Sequence, residues 1–207
     1  LHTWSLSVEE QYYILFPIIL LVIFKFFRKY LLVVLLFGFF SSLLMADWGS
    51  RNYPAATFYF LHTRMWELIA GSILAYFEIF KKKTKKNSKL NLILPSIGII
   101  LIMHSIIFYN DKIFHPSFYT LSPILGVCLI IFYSQKNEII TKILSSKIFV
   151  GVGLISYSMY LWHYPIFAFA RIKSDSIPSQ YDKFEWIILT TILSIITYFF
   201  IEKFFRN

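Results

Sequence analysis

The stretch LHTWSLSVEEQYYILFPIILLVIF, residues 1–24, decides how the rest of the chain is read. From Tyr12 onward it is almost purely apolar, of the kind a lipid bilayer accepts. Immediately before that run stand two adjacent carboxylates, Glu9 and Glu10. Carboxylates at membrane depth carry a free-energy cost, so their placement calls for partners or a function. A simple alternative exists for one of them. Ser7-Val-Glu9-Glu10 fits the S-x-x-E capping box, with Ser7 as N-cap and Glu10 three residues on. A negative charge there also meets the positive end of the helix dipole. That reading leaves Glu9 unexplained.

Working outward, the apolar pattern repeats. The 207 residues are 57% hydrophobic, 20% aromatic and only 15% charged, with a mean hydropathy of +0.64. Soluble domains carry about 25% charged residues. Apolar segments fall at 8–27, 30–46, 64–80, 90–108, 118–134, 148–170 and 186–205. Their lengths suit spans of about 20 residues, and they lack the alternation of barrel strands. The expected fold is therefore all-α, a polytopic transmembrane helix bundle of about seven spans in one domain over 1–207. The lipid bilayer is the first partner this implies.

The net charge of +9 would suggest nucleic acid in a soluble protein, but here the cations sit in loops. One set holds Lys25, Arg28 and Lys29, the KKKTKKNSK run at 81–89, Lys136, Lys142 and Lys147, then Lys203 and Arg206. The alternate set holds only Arg51 and Arg64, Lys112, Arg171, Lys173 and Lys183. By the positive-inside rule the N-terminus is expected outside and the C-terminus inside. The lysine-rich run then reads as a topology anchor rather than a nucleic-acid patch. A chain starting outside, with no initiator Met or signal-type start, is expected to lack helices upstream.

Polar groups at membrane depth form the candidate site. Arg64, Glu67, Gly71 and Ala75 share a helical face. Gly71-x-x-x-Ala75 is a small-xxx-small pattern that permits close helix approach, and Arg64 with Glu67 has the spacing of an i,i+3 ion pair. Ser156, Tyr160 and His163 line another face, next to Pro165, whose missing donor favours a kink. A lone membrane histidine is often only hydrogen-bonded between helices, but its pKa also suits proton transfer. Thr191, Ser194, Tyr198 and Glu202 form a further stripe toward the C-terminus. With the expected topology, three of these groups reach the outer half of the bilayer. One polar cavity lined by Glu9, Glu10, Arg64, Glu67, Tyr160 and His163 would account for them together. No metal is expected: there is no H-x-x-x-H, and Cys128 is the single cysteine. His2, His62, His104 and His115 sit near loop edges.

TWSLSVEEQYYILFP (3–17), RMWELIAGSILAY (64–76), ISYSMYLWHYPI (155–166) and FIEKFFR (200–206) resemble, in order, the motifs of the acyltransferase-three family. The resemblance implies a multi-pass bacterial inner-membrane O-acyltransferase. Its donor would be acyl-coenzyme A, typically acetyl-coenzyme A, and its acceptor a hydroxyl of a surface or exported carbohydrate. With that activity, the polar site read above makes Glu9, Glu10 and His163 the catalytic candidates and Trp4, Ser5, Arg64, Glu67 and Tyr160 the substrate-binding ones, with the identity of the base left open. The resemblance also implies an acyl-transfer histidine in helices upstream of Leu1, since no Arg-spaced-His motif lies in this stretch. Phe204 departs from the family, which usually has proline there. A polar-solute transporter or a non-catalytic scaffold remain the alternatives from the residues alone.

Overall fold

In a computed structural model, residues 3–80, 88–110, 113–135, 138–173 and 179–205 are described. His2, the lysines at 81–86, Lys112, Lys136 and Arg206 lie outside them. All regular structure among the described residues is helical: α1 (Trp4–Phe26), α2 (Leu31–Asn52), α3 (Pro54–Tyr59), α4 (Met65–Phe80), α5 (Ser88–Phe108), α6 (Leu121–Tyr133), α7 (Ile139–Leu144), α8 (Lys147–Lys173) and α9 (Gln180–Thr197). A π-turn, Tyr198–Glu202, and the short α10 (Lys203–Phe205) follow. The chain divides into two compact units, Thr3–Thr141 and Lys142–Asn207.

Among the described residues four stretches are long and apolar enough to cross a membrane: Trp4–Phe26, Arg28–Asn52, Leu90–Phe108 and Gln180–Phe205. Phe118–Tyr133 is a shorter apolar helix. The expected segments at 64–80 and 148–170 are helical, as the 16-residue α4 and the 27-residue α8, but are not among these four. Large apolar side chains face outward along the helices. Ile14 is 66% exposed and Leu21 72% in α1, as suits helices whose solvent is hydrocarbon. Pro17, Pro95 and Pro165 lie inside α1, α5 and α8 without ending them.

In the first unit Tyr12, Ile23, Leu31, Leu35 and Ile69 form one buried cluster, and Leu43, Ala46 and Trp66 another. Together they lock α1, α2 and α4. Polar groups complete this join. Ser42 in α2 donates to the His62 carbonyl at 2.6 Å and accepts from the Trp66 amide at 3.1 Å. It thereby satisfies one of the otherwise unpaired amides at the start of α4. Tyr12 and Ser72 share a hydrogen bond at 3.1 Å between α1 and α4.

The capping-box expectation is not met. α1 begins at Trp4, three residues before Ser7, and its N-cap residue Thr3 makes no side-chain cap bond. Ser7 is already inside, its amide bonded to the Thr3 carbonyl at 3.2 Å. Gly71 has nothing within 4 Å of where a Cβ would stand, so the Gly71/Ala75 pattern is not a close crossing among the described residues. The close crossing is instead between α5 and α6. There a Cβ on Gly98 would lie 2.6 Å from the Gly126 carbonyl oxygen, and one on Gly126 would lie 2.6 Å from the Gly98 oxygen.

In the second unit α8 packs on α9. Ser158, 1% exposed, donates to the Glu202 carboxylate at 3.0 Å, and the Trp162 indole donates to Thr197 at 2.8 Å. Ser194 is buried and donates to Thr190 at 2.6 Å.

Candidate functional site

The start of α1, the end of α2, α3 and the start of α4 meet at one end of the first unit. Pro54 opens α3 at its first turn, where a missing amide costs nothing. Thr57 fastens α3: its hydroxyl donates to the Tyr53 carbonyl at 2.8 Å, and its carbonyl accepts from the Thr63 hydroxyl at 2.5 Å. Gly49 makes room for this contact, since a Cβ there would lie 2.5 Å from the Thr57 hydroxyl oxygen. The strap therefore holds Phe58 and Tyr59 against Trp4. Ring centroids are 4.3 Å apart for Trp4 and Phe58 and 5.5 Å for Trp4 and Tyr59.

Arg64 is seated on this aromatic shelf. Its guanidinium carbon lies 4.5 Å from the Trp4 ring centre and 4.7 Å from that of Phe58. Its Nε donates to the Phe58 carbonyl at 3.2 Å. The i,i+3 ion pair with Glu67 does not form among the described residues, where the close ion pair is Arg51 with Asp47 at 3.0 Å. Glu67 follows Arg64 by three residues, and Glu9 lies near the start of α1. Glu67 also stands in the first turn of α4, where the helix dipole favours a carboxylate. Glu9, Arg64 and Glu67 thus share one end of the unit, with Trp4 as the floor under Arg64. Ser5 is half-buried beside Trp4 on α1. Glu9 and Glu10 are both exposed, and neither has a hydrogen bond or ion pair among the described residues.

His115 belongs to this neighbourhood although no spacing pattern singles it out. The segment carrying it is anchored by Ser117, fully buried, which donates to the Phe114 carbonyl at 2.6 Å and accepts from the Tyr119 amide at 3.3 Å. Asp47 of α2 accepts from the Phe118 amide at 3.3 Å, tying the segment to the same end of the unit. Between α3 and this segment opens a cavity of about 460 Å³, lined by Ser50, Pro54, Ala55, Phe58, Tyr59, Ile113, Phe114 and His115. Phe58 is the shared wall, with Arg64 on it and the cavity against it.

Partial burial, then the nearby charge of Arg64, pushes the His115 pKa below its ordinary value of 6.5. As pH falls through that range the unfolded chain takes up the proton first, while the native site resists it. Stability attributable to His115 is therefore intact above the ordinary pKa and declines as pH falls. Unfolding midpoints followed between about pH 5 and 8 are expected to fall less steeply on acidification in His115→Gln than in wild type. Equal slopes would contradict this assignment.

Tyr160 and His163 lie on α8 in the second unit. His163 is exposed, its Nδ1 is 3.3 Å from the Met159 carbonyl, and its ring centre is 5.7 Å from that of Tyr160. Ser156 bonds back to the Gly153 carbonyl at 2.8 Å. The face of α8 that packs on α9 carries Ser158 and Trp162, about half a turn from the Ser156 side. Of the C-terminal stripe, Ser194 is buried and Glu202 is engaged by Ser158.

The family profile described as an acyltransferase domain matches residues 1–201. The chain belongs to the acyltransferase-three family. Among curated relatives, an O-acetyltransferase provisionally so named from Staphylococcus aureus strain COL is 31% identical over 220 residues, covering 100% of this chain and 36% of that protein. O-acetyltransferase OatA from S. aureus strain NCTC 8325 is 31% identical over 214 residues, covering 97% of this chain and 35% of the relative. The chain thus spans about a third of the length of the curated relatives it matches. No solved structure matches it. As a member of this family with several membrane-length apolar helices, it is a membrane protein.

Proposed function

We propose that the chain is part of a bacterial inner-membrane O-acyltransferase. It would move an acyl group, most simply acetyl, from acyl-coenzyme A to a hydroxyl of a surface or exported carbohydrate. The observation that carries this reading is the family match over residues 1–201, and the O-acetyltransferase names of the relatives agree with it. The Glu9–Arg64–Glu67 group adds a chemical reason. In such a transfer the acceptor oxygen attacks the acyl carbonyl, negative charge builds on the carbonyl oxygen, and the group that carried the acyl leaves with the bonding electron pair while the hydroxyl proton goes to a base. Arg64 is assigned to the developing charge, since a fixed cation in a low-dielectric site acts most strongly there. In the first unit Glu9 and Glu10 are assigned to proton handling, and Trp4, Ser5 and Glu67 to seating the substrate; in the second unit, taken by itself, His163 is assigned to proton handling and Tyr160 to substrate. The N-terminus of this chain would face outside, placing the Arg64 end of the first unit toward the acceptor.

The test is expression of the whole reading frame that encodes the chain in a host whose surface glycan lacks O-acetyl groups. Base-labile acetyl esters on the purified glycan, read by NMR and mass spectrometry, are expected. Wild-type protein at normal membrane level that leaves the glycan unmodified would reject the reading.

A further inference from the structure

The cavity between α3 and the segment at 113–115 is not used by the chemistry above, with which it shares Phe58. Its size is within the range of small-ligand pockets, about 300–1,000 Å³. Its walls are mostly apolar and aromatic, with Phe58, Tyr59 and Phe114 supplying rings. His115 adds a polar edge, and neither of its ring nitrogens has a hydrogen-bond partner among the described residues.

We propose that this cavity seats one pyranose ring of the acceptor, packed into the corner between the near-perpendicular rings of Phe58 and Tyr59, with a ring hydroxyl held by His115. The assignment rests on the acyl-transfer reading above. A pyranose has apolar C–H faces and a rim of hydroxyls, which matches a floor of rings with one polar edge. An acyl chain would leave the imidazole unanswered, and a strongly anionic group would find an apolar floor. Because its protonation is disfavoured, His115 presents one donor and one acceptor nitrogen near neutral pH, and a hydroxyl can use either. Seating a sugar here would also place it against Phe58, whose ring and carbonyl both touch Arg64. The acceptor would then lie next to the charged group without displacing Arg64 from its shelf.

Ala55 lies on the cavity wall and is exposed, so Ala55→Trp fills the space without repacking a core. The whole protein, reconstituted in nanodiscs with acetyl-coenzyme A, would be assayed on chitotetraose and maltotetraose. Ala55→Trp is expected to raise the acceptor KM about tenfold or more with the donor KM unchanged, the mark of lost acceptor binding. His115→Ala should shift the same constant in the same direction. Saturation-transfer NMR without donor should show the sugar signal weakened in both variants. Transfer to either sugar with an unaltered acceptor KM in both variants overturns the subsite and leaves the acyl-transfer reading standing; Tyr59 and Phe114 would then be interfacial aromatic anchors. Failure of the wild-type protein to acetylate any carbohydrate, in this assay and in cells, overturns both.

Discussion

Gly98→Ala is expected to destabilise the first unit by about 1–3 kcal/mol, the usual cost of forcing atoms into a packed contact. The added Cβ would stand 2.6 Å from the Gly126 carbonyl oxygen and 2.9 Å from Ile130 Cγ1. Ile130 Cγ1 can give way only by a change at the stiff β-branched χ1, and the carbonyl belongs to the backbone of α6 and moves only if the helices part. Gly126→Ala meets the same obstacle from the other side, at 2.6 Å from the Gly98 oxygen and 3.0 Å from Ile102 Cγ1. Helices in lipid gain little from hiding apolar surface from one another. Their association relies on close contact, so separating these backbones removes much of what joins α5 to α6. Gly153→Ala is the control, because nothing lies within 4 Å of its would-be Cβ and alanine favours helix. Thermal unfolding in detergent should place the Gly98 and Gly126 variants well below wild type and Gly153→Ala at or above it. Equal midpoints for all three would show that the crossing is not tight.

The helices were legible because each long apolar run leaves a signal that needs no tertiary context. What the runs could not supply was partner choice. Gly71 and Ala75 announce themselves by spacing within one helix, whereas Gly98 and Gly126 are on different helices and become a pair only when α5 and α6 fold back. On α8 a count of hydroxyls and imidazole selects Ser156, Tyr160 and His163. The packed face is the one whose Ser158 and Trp162 find Glu202 and Thr197, and that depends on α9. The S-x-x-E pattern at Ser7 is a real capping grammar, but Trp4 has an aromatic shelf to rest on and the helix starts one turn earlier. Arg64 and Glu67 were identified as a charged pair on one face. The cation's nearest neighbours proved to be rings from α1 and α3, a contact that helical spacing does not encode. The FYFLHTR run at 58–64 held a hint in its cluster of aromatics before the arginine. His115 lies outside any helical period, so no pattern of spacing could have found it.

Arg64→Lys is expected to be nearly as damaging to acyl transfer as Arg64→Ala, with both about 10²–10³-fold below wild type, the range for removing one donor to developing charge. Charge alone does not explain why arginine occupies this position. The guanidinium is flat, lies over two rings at 4.5 and 4.7 Å, and spends its Nε on the Phe58 carbonyl at 3.2 Å. That bond fixes its plane while leaving the terminal nitrogens to face a substrate. A lysine ammonium is a compact point charge without the planar fork, so it can sit near the rings but cannot hold that orientation. Glu67 would then attract a free-swinging cation, and the two charges would be expected to pair with each other rather than act on substrate. The comparison needs membranes with equal amounts of folded protein, checked by size-exclusion profile, and acetyl transfer read with donor and acceptor varied separately. A fall in kcat with little change in either KM is the signature of an interaction made chiefly in the transition state. Retention of near wild-type kcat by Arg64→Lys would show that only the charge is used and that the aromatic shelf is structural. Wild-type kcat in Arg64→Ala would remove Arg64 from the reaction and leave Glu9 and Glu67 a carboxylate pair without its cation.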